Sequence, residues 1–123
     1  MSANSFRSAA ARRMTFMSNA PRFALGQLVA TPGAMELLEQ TGFSALALIS
    51  RHVRGDFGCC CDEDKATNEI AIRQGMRVMS VYCLVDTEKL LQTPPDKRSG
   101  LPRLWCITEA DRSVTTLLLP SEY

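Results

Sequence analysis

The densest cluster of reactive side chains lies near the C-terminus, in the segment from Trp105 to Thr116. Two predicted strands enclose a polar turn that brings Glu109, Asp111 and Arg112 close together. A carboxylate beside a guanidinium can act on a phosphodiester, because the carboxylate takes the 2′-hydroxyl proton and the arginine stabilises the pentavalent phosphate. The same pattern is typical of a tight turn in which Asp111 and Thr108 bond the local backbone and Arg112 pairs with an acid. The sequence leaves both interpretations open.

His52 is the only histidine of the chain, and it lies where a predicted helix runs into a glycine-flanked loop. With Asp56 or Asp64 orienting its ring, His52 could supply the acid of the same reaction. The alternative is that it bonds the last carbonyl groups of the helix, where the helix dipole favours its charge. We expect helix capping.

Five cysteines are present, and three of them, Cys59–Cys61, are consecutive. This spacing does not match the Cys-x-x-Cys pattern of zinc sites, and the odd number indicates no disulfide framework. Two thiols of the run could bind a soft metal together with His52 or Cys83, but we expect ordinary reduced thiols. Cys83 and Cys106 fall inside strand-like runs and are predicted to be small core residues. Reduced cysteines favour a cytoplasmic location.

An acidic segment follows the cysteines. Asp62, Asp64 and Asn68 carry oxygen ligands that a hard cation prefers, and the last two lie one helical turn apart. Acids are expected at a helix N-terminus without any metal, because they interact favourably with the helix dipole. We therefore expect neither a metal nor another cofactor.

The elements that position these residues follow from caps and hydrophobic periodicity. Thr31 and Pro32 predict the start of a first helix that Gly42 ends. Two more helices are predicted over Ser44–Val53 and Asp62–Gln74. The predicted strands are Met76–Val85, Leu104–Thr108 and Val114–Leu119, with a loop over Asp86–Pro102 that holds one helical turn. Leu25 to Ala30 forms either a short edge strand or an extended lead-in.

This order predicts an α+β fold, in which three helices precede a three-stranded antiparallel β-meander and form one helical layer on one sheet. The domain covers residues 23–123. Residues 1–22 form a separate basic segment, predicted to be disordered. Their Ser- and Ala-rich composition would also suit a transit peptide or an over-extended reading frame.

Charge excludes some functions. The chain has 123 residues with 14 Lys plus Arg and 13 Asp plus Glu, a net charge of +1. Four arginines and no acid lie in residues 1–22, so the remainder carries −3. No bulk field therefore attracts nucleic acid, although residues 1–22 or a local patch of arginines could bind it. That patch would consist of Arg51, Arg54, Arg73 and Arg77. No apolar run approaches the roughly 20 residues that span a membrane.

Four stretches carry a family resemblance. They are LGQLVATPGA (25–34), RHVRGDFG (51–58), Asp64 with Asn68, and LWCITEADRSVTTLLLPSEY (104–123). Through them the chain resembles a family of small proteins carried on bacterial plasmids and integrative elements, some labelled plasmid-related or restriction–modification subunits. The resemblance implies an origin on a bacterial mobile element and no particular activity.

The segment WCITEADRSVTT (105–116) also resembles the last hairpin of barnase-type microbial ribonucleases, whose helices likewise precede an antiparallel sheet. Where those enzymes place a catalytic histidine near the C-terminus, this chain has Arg112.

Two functional hypotheses result. The first is a non-enzymatic accessory protein that binds a bacterial protein partner, with inhibition of a host defence system such as restriction or CRISPR as one form of it. Its candidate binding residues are Trp105, Glu109, Asp111, Arg112, His52 and Asp56. The second is a toxin-like ribonuclease with Glu109 as base, Arg112 as phosphate clamp and His52 as acid.

Overall fold

Four strands form one sheet in the computed structural model, which describes residues 20–123. The strands are β1 (Gln27–Ala30), β2 (Val78–Cys83), β3 (Arg103–Thr108) and β4 (Val114–Leu118). Their order is β1-β4-β3-β2; β4 pairs antiparallel with β3, β3 pairs antiparallel with β2, and β1 runs parallel to β4. The predicted α+β class is confirmed.

The predicted three-stranded antiparallel meander is wrong, because the sheet is mixed and has a fourth strand. The segment that could have been a lead-in joins the edge of the sheet as β1. Gln27 N donates to Ser113 O at 2.9 Å, and Thr31 N donates to Leu117 O at 3.0 Å. Four residues are too few to reveal this pairing, since their partners lie more than 80 residues away along the chain.

Four α-helices occur in the described residues: α1 (Pro32–Thr41), α2 (Ala45–Val53), α3 (Asp62–Gln74) and α4 (Thr87–Gln92). Thr31 caps α1 as predicted, with Oγ1 accepting from Ala34 N. Ser44, predicted as the first residue of the second helix, is its N-cap and accepts from Ala47 N through Oγ. No helix within residues 20–123 is long and apolar enough to cross a membrane.

The segment predicted as a loop over 86–102 is more ordered than expected. It holds α4 and a 3₁₀-helix over Pro95–Gly100. Asp86 caps α4 by accepting a hydrogen bond from Lys89 N at 2.7 Å. A second 3₁₀-helix, Pro120–Glu122, follows β4.

Two hydrophobic clusters pack against the sheet. In the first, α1 and α2 place Leu38 and Leu48 against Leu104 and Leu117. In the second, residues of α3 and of the loop before it pack around Val81.

The loop between α2 and α3 covers the edge of β2. Gly58 forms a parallel bridge with Val81, and the Asn68 amide bonds both the N–H and the C=O of Met79. These contacts satisfy main-chain groups that an edge strand would otherwise expose. Asn68 therefore pairs with the strand and is not oriented toward a cation beside Asp64.

Replacing Gly58 with alanine tests this edge. Gly58 has φ +71, and a Cβ there would collide with the Val81 carbonyl and the Tyr82 ring. Gly75 has nearly the same φ, +70, but nothing lies within 4 Å of its Cβ position. Left-handed strain alone costs about 1 kcal/mol, so we expect about 1 kcal/mol for Gly75→Ala and about 2 kcal/mol for Gly58→Ala. Urea unfolding measures both; equal losses would contradict the close approach.

Candidate functional site

His52 lies at the centre of a buried polar network between α2 and the sheet. Its residue exposure is 0%, as are those of Ser80, Thr108 and Thr115. His52 Nδ1 lies 2.6 Å from Ser80 Oγ, and Nε2 lies 2.9 Å from Thr108 Oγ1. Thr108 Oγ1 lies 2.7 Å from Thr115 Oγ1, which donates to Leu25 O at 2.7 Å. The network therefore joins α2 to β2, β3, β4 and the chain before β1.

The carbonyl oxygen of Leu25, at the end of this network, determines which group donates and which accepts in each of its hydrogen bonds. Leu25 O can only accept, so the Thr115 hydroxyl donates to it and accepts from Thr108. Thr108 in turn accepts from the Nε2–H of His52. Nδ1 is then left as an acceptor for the Ser80 hydroxyl. This chain of bonds assigns a neutral imidazole protonated at Nε2.

The surroundings of His52 keep it neutral. Burial, and to a smaller extent the nearby charge of Arg112, lower its pKa from 6.5 to about 4. The ring also receives the edge of Phe23 at a centroid distance of 5.2 Å. The prediction that His52 caps the last carbonyls of its helix is wrong, because both ring nitrogens bond side chains of the sheet.

The Arg112 guanidinium binds main-chain carbonyl groups at the C-terminal end of α3. Its Nη1 donates to Met76 O at 2.6 Å and to Glu109 O at 3.1 Å, and its Nη2 donates to Ala71 O at 3.2 Å. Arg112 has φ 61, the only positive value at a non-glycine among the described residues. The predicted pairing of Arg112 with an acid is replaced by these carbonyl groups, of which Ala71 O lies in the last turn of α3, at the negative end of the helix dipole.

The turn between β3 and β4 has the predicted local bonds at Asp111. Its Oδ1 accepts from Ser113 N at 3.0 Å, and hydrogen bonding to Ser113 lowers the pKa of Asp111. Glu109 contributes its main chain, with its N–H donating to Val114 O. Thr108 does not bond the local backbone as predicted, because its hydroxyl belongs to the His52 network.

The other predicted binding residues lie apart from this turn. Asp56 receives two hydrogen bonds from Arg51, and these lower its pKa although burial opposes ionisation. Trp105 is half-buried, packs edge-on against Tyr123 at 5.3 Å and buries its indole N–H. The structure therefore does not bring the six candidates together on one surface.

Three of the four arginines of the predicted basic patch have partners of their own, and one of these, Arg54, donates to Ser50 Oγ at 2.9 Å. Arg51 bonds Asp56 and lies 4.7 Å from the centre of the Tyr82 ring. Arg77 bonds the Tyr123 hydroxyl. Of the predicted basic segment 1–22, residues 1–19 lie outside the described residues; Arg22 pairs with Glu69 at 2.7 Å. In the described part of the chain, no group of three or more His, Cys, Asp and Glu could hold a metal ion.

A different surface has the character of a binding site. An apolar groove of about 390 Å³ lies between β1, α1 and α2, and we call it the β1 groove. Three of its large side chains are strongly exposed: Leu28 at 44%, Met35 at 56% and Leu46 at 69%. Its lining residues are Leu28, Val29, Ala30, Met35, Ala45, Leu46, Ile49 and Leu117, none of them charged.

The outer edge of β1 borders this groove. Gln27 and Thr31 direct their N–H groups toward β4. Since the groups of a strand alternate in direction, Leu28 and Ala30 direct their N–H and C=O groups away from the sheet. No other described strand pairs with them. Sequence analysis missed this site, for which the apolar run LGQLVA (25–30) was the available signal.

Comparisons with protein-family models, with curated proteins and with solved structures found no match to this chain. The resemblances to mobile-element proteins and to barnase-type ribonucleases stay predictions.

Proposed function

We propose that the chain is a small non-enzymatic accessory protein that binds a bacterial protein partner through the β1 groove. The observation that carries the proposal is a strand edge that pairs with no other strand of residues 20–123, beside exposed apolar side chains. Soluble proteins usually cover, shorten or charge such edges, and large exposed apolar patches mark interaction sites. By contrast, the edge formed by β2 is covered by Gly58 and Asn68.

The chemistry of the groove selects the kind of partner. Two N–H and two C=O groups, those of Leu28 and Ala30, offer main-chain bonds to one added strand. The adjoining pocket has no charged lining residue, so it suits uncharged apolar side chains. We therefore propose that the occupant is an extended segment of the partner protein with apolar residues at alternate positions.

The biological setting follows from the resemblance to proteins of mobile elements. A protein of such an element that acts by binding would meet its partner in the bacterial cytoplasm. We propose inhibition of a defence system, restriction or CRISPR, as the consequence, because occupying a partner's surface needs no catalytic centre.

The geometry favours binding over the ribonuclease alternative. That alternative needs Arg112 free for a phosphate and His52 accessible to substrate. Arg112 instead donates to three carbonyl oxygens, and His52 is fully buried. Of the three residues that this alternative requires, only Glu109 has a side chain that forms no hydrogen bond within the described residues.

A comparison of two charge substitutions tests the binding site. Leu46→Asp places a carboxylate in the β1 groove, whereas Leu91→Asp places one on α4, where Leu91 is 74% exposed. We expect the tagged wild type and Leu91→Asp to capture the same stoichiometric partner from nuclease-treated bacterial lysate. Leu46→Asp should lose at least about 90% of it, since an unpaired charge in an apolar contact costs more than 1.4 kcal/mol.

Hydrogen exchange distinguishes strand addition from other contacts. The amides of Leu28 and Ala30 should exchange at least about tenfold more slowly in the complex. Equal capture by Leu46→Asp, or unchanged exchange at both amides, would reject the site. Light scattering identifies the case in which a second copy of the chain is the occupant.

A further inference from the structure

A second pocket lies on the opposite edge of the sheet, beside β2. It has a volume of about 260 Å³ and is lined by Cys59, Cys60 and Cys83, and we call it the thiol pocket. Its charged lining residues are Arg51, Lys65 and Arg98, and no acidic side chain lines it among the described residues.

The fold brings the two thiols together. Cys59 directly follows Gly58, which forms the β-bridge with Val81. The N–H of Cys59 donates to Val81 O. Cys83 lies two residues farther along β2. Both residues line the thiol pocket, and burial, with the neighbouring Cys59 as a smaller cause, raises the pKa of Cys83 to about 12. Since Cys83 is buried and holds its proton while Cys59 is half-buried, Cys59 is the thiol that can attack first.

The remaining cysteines are less suited to the exchange. Cys60 also lines the thiol pocket, but its thiol donates to Met79 O at 3.5 Å, and burial raises its pKa to about 11. Cys106 is fully buried in the first hydrophobic cluster. Cys61 is exposed at the start of α3. Cys59 and Cys83 are therefore a distinct pair.

The cations define what can enter the pocket. Arg51 is held by Asp56, but no described acid forms an ion pair with Lys65 or Arg98. A concave site lined by cations concentrates anions and raises their association rate. A small disulfide with carboxylate groups matches both the charge and the thiols.

We propose that Cys59 and Cys83 form a reversible disulfide, and that the thiol pocket admits an anionic low-molecular-weight disulfide as the oxidant. The Cys59 thiolate attacks one sulfur of the oxidant, whose S–S bond breaks and releases one thiolate. Cys83 then loses its proton to that thiolate and attacks the Cys59 sulfur, which releases the second small thiol. Two protein thiols are oxidised and one disulfide is reduced to two thiols. The product closes the loop before α3 onto β2.

Oxidised glutathione is a suitable anionic probe and cystamine a cationic one. The reduced full chain is treated with each, quenched with acid, alkylated and mapped by mass spectrometry. We expect a Cys59–Cys83 link in the wild type and in Cys61→Ser, and none in Cys59→Ser. Cys83→Ser should stop with one glutathione on Cys59. Because the link is read in the wild type, a folding defect in Cys83→Ser does not remove the test.

Rates test the role of the cations. Glutathione disulfide should react at least about tenfold faster than cystamine with the wild type, and Lys65→Gln combined with Arg98→Gln should remove that preference. A link between other cysteines, or no link with either probe, would overturn the redox pair. Equal rates for the two probes would overturn the anionic oxidant.

Discussion

Lowering the pH from 7 to 5 should destabilise the folded chain by about 2 kcal/mol, and His52 should account for that loss. Its pKa falls from 6.5 to about 4 on folding, so the unfolded chain binds the proton more tightly. Stability is therefore fully present above pH 6.5 and is lost as the pH falls toward 4. The linkage relation, with about 1.4 kcal/mol per pKa unit, gives about 2 kcal/mol at pH 5 and approaches about 3 kcal/mol below pH 4.

The composition of the chain allows this loss of stability between pH 7 and 5 to be assigned to one residue. His52 is the only histidine, so no other side chain with an ordinary pKa titrates between about pH 5 and 7. Carboxyl groups with lowered pKa, such as Asp56 and Glu69, contribute stability that is lost only at lower pH. Urea unfolding at several pH values measures the slope.

His52→Gln is the matched control for the titration. It removes the ionisable group and leaves a side chain that can still donate and accept hydrogen bonds. We expect a lower free energy of unfolding than in the wild type at pH 7, and no loss of stability between about pH 7 and 5. If the free energy of unfolding of the wild type did not change between about pH 7 and 5, the network would not hold His52 neutral.

Arg112→Ala should lower the free energy of unfolding by about 3 kcal/mol at neutral pH. The substitution removes the hydrogen bonds to three carbonyl oxygens, and bonds to charged groups contribute about 1.5–3 kcal/mol each; the total stays well below their sum because Arg112 is only half-buried. The substitution also removes one of the two cations near the last turn of α3, since Arg73 lies in that turn as well. Urea unfolding measures the loss.

Arg112→Gly separates the two roles of this residue. Both variants lose the guanidinium, but glycine adopts φ 61 without strain, so it should be about 1 kcal/mol more stable than Arg112→Ala. Both should also show a shallower loss of stability between about pH 7 and 5, because Arg112 helps to lower the pKa of His52.

An RNA cleavage assay tests the opposing hypothesis, in which Arg112 is catalytic and not structural. Under the ribonuclease hypothesis, Arg112→Ala would unfold like the wild type and lose cleavage, as Glu109→Gln would. A wild type that cleaves RNA, together with an Arg112→Ala variant of unchanged stability, would contradict the structural role that we assign to Arg112.

The sequence by itself determined the local features of the described chain. Thr31, Pro32 and Gly42 bound α1 as predicted, because a cap bonds main-chain groups within a few residues. The strands after α3 follow from hydrophobic runs bounded by turns, and Asp111 bonds its own turn as expected. The α+β class follows from the order of these elements.

Only the tertiary structure decided how distant segments meet. His52 bonds Ser80 and Thr108, which lie 28 and 56 residues away, and no local pattern encodes those partners. The carbonyls that hold Arg112 and the strand that pairs with β1 are equally remote. The candidate sites therefore moved from the predicted turn to the β1 groove and the thiol pocket, because strand pairing decides which edges stay open and which side chains share a pocket.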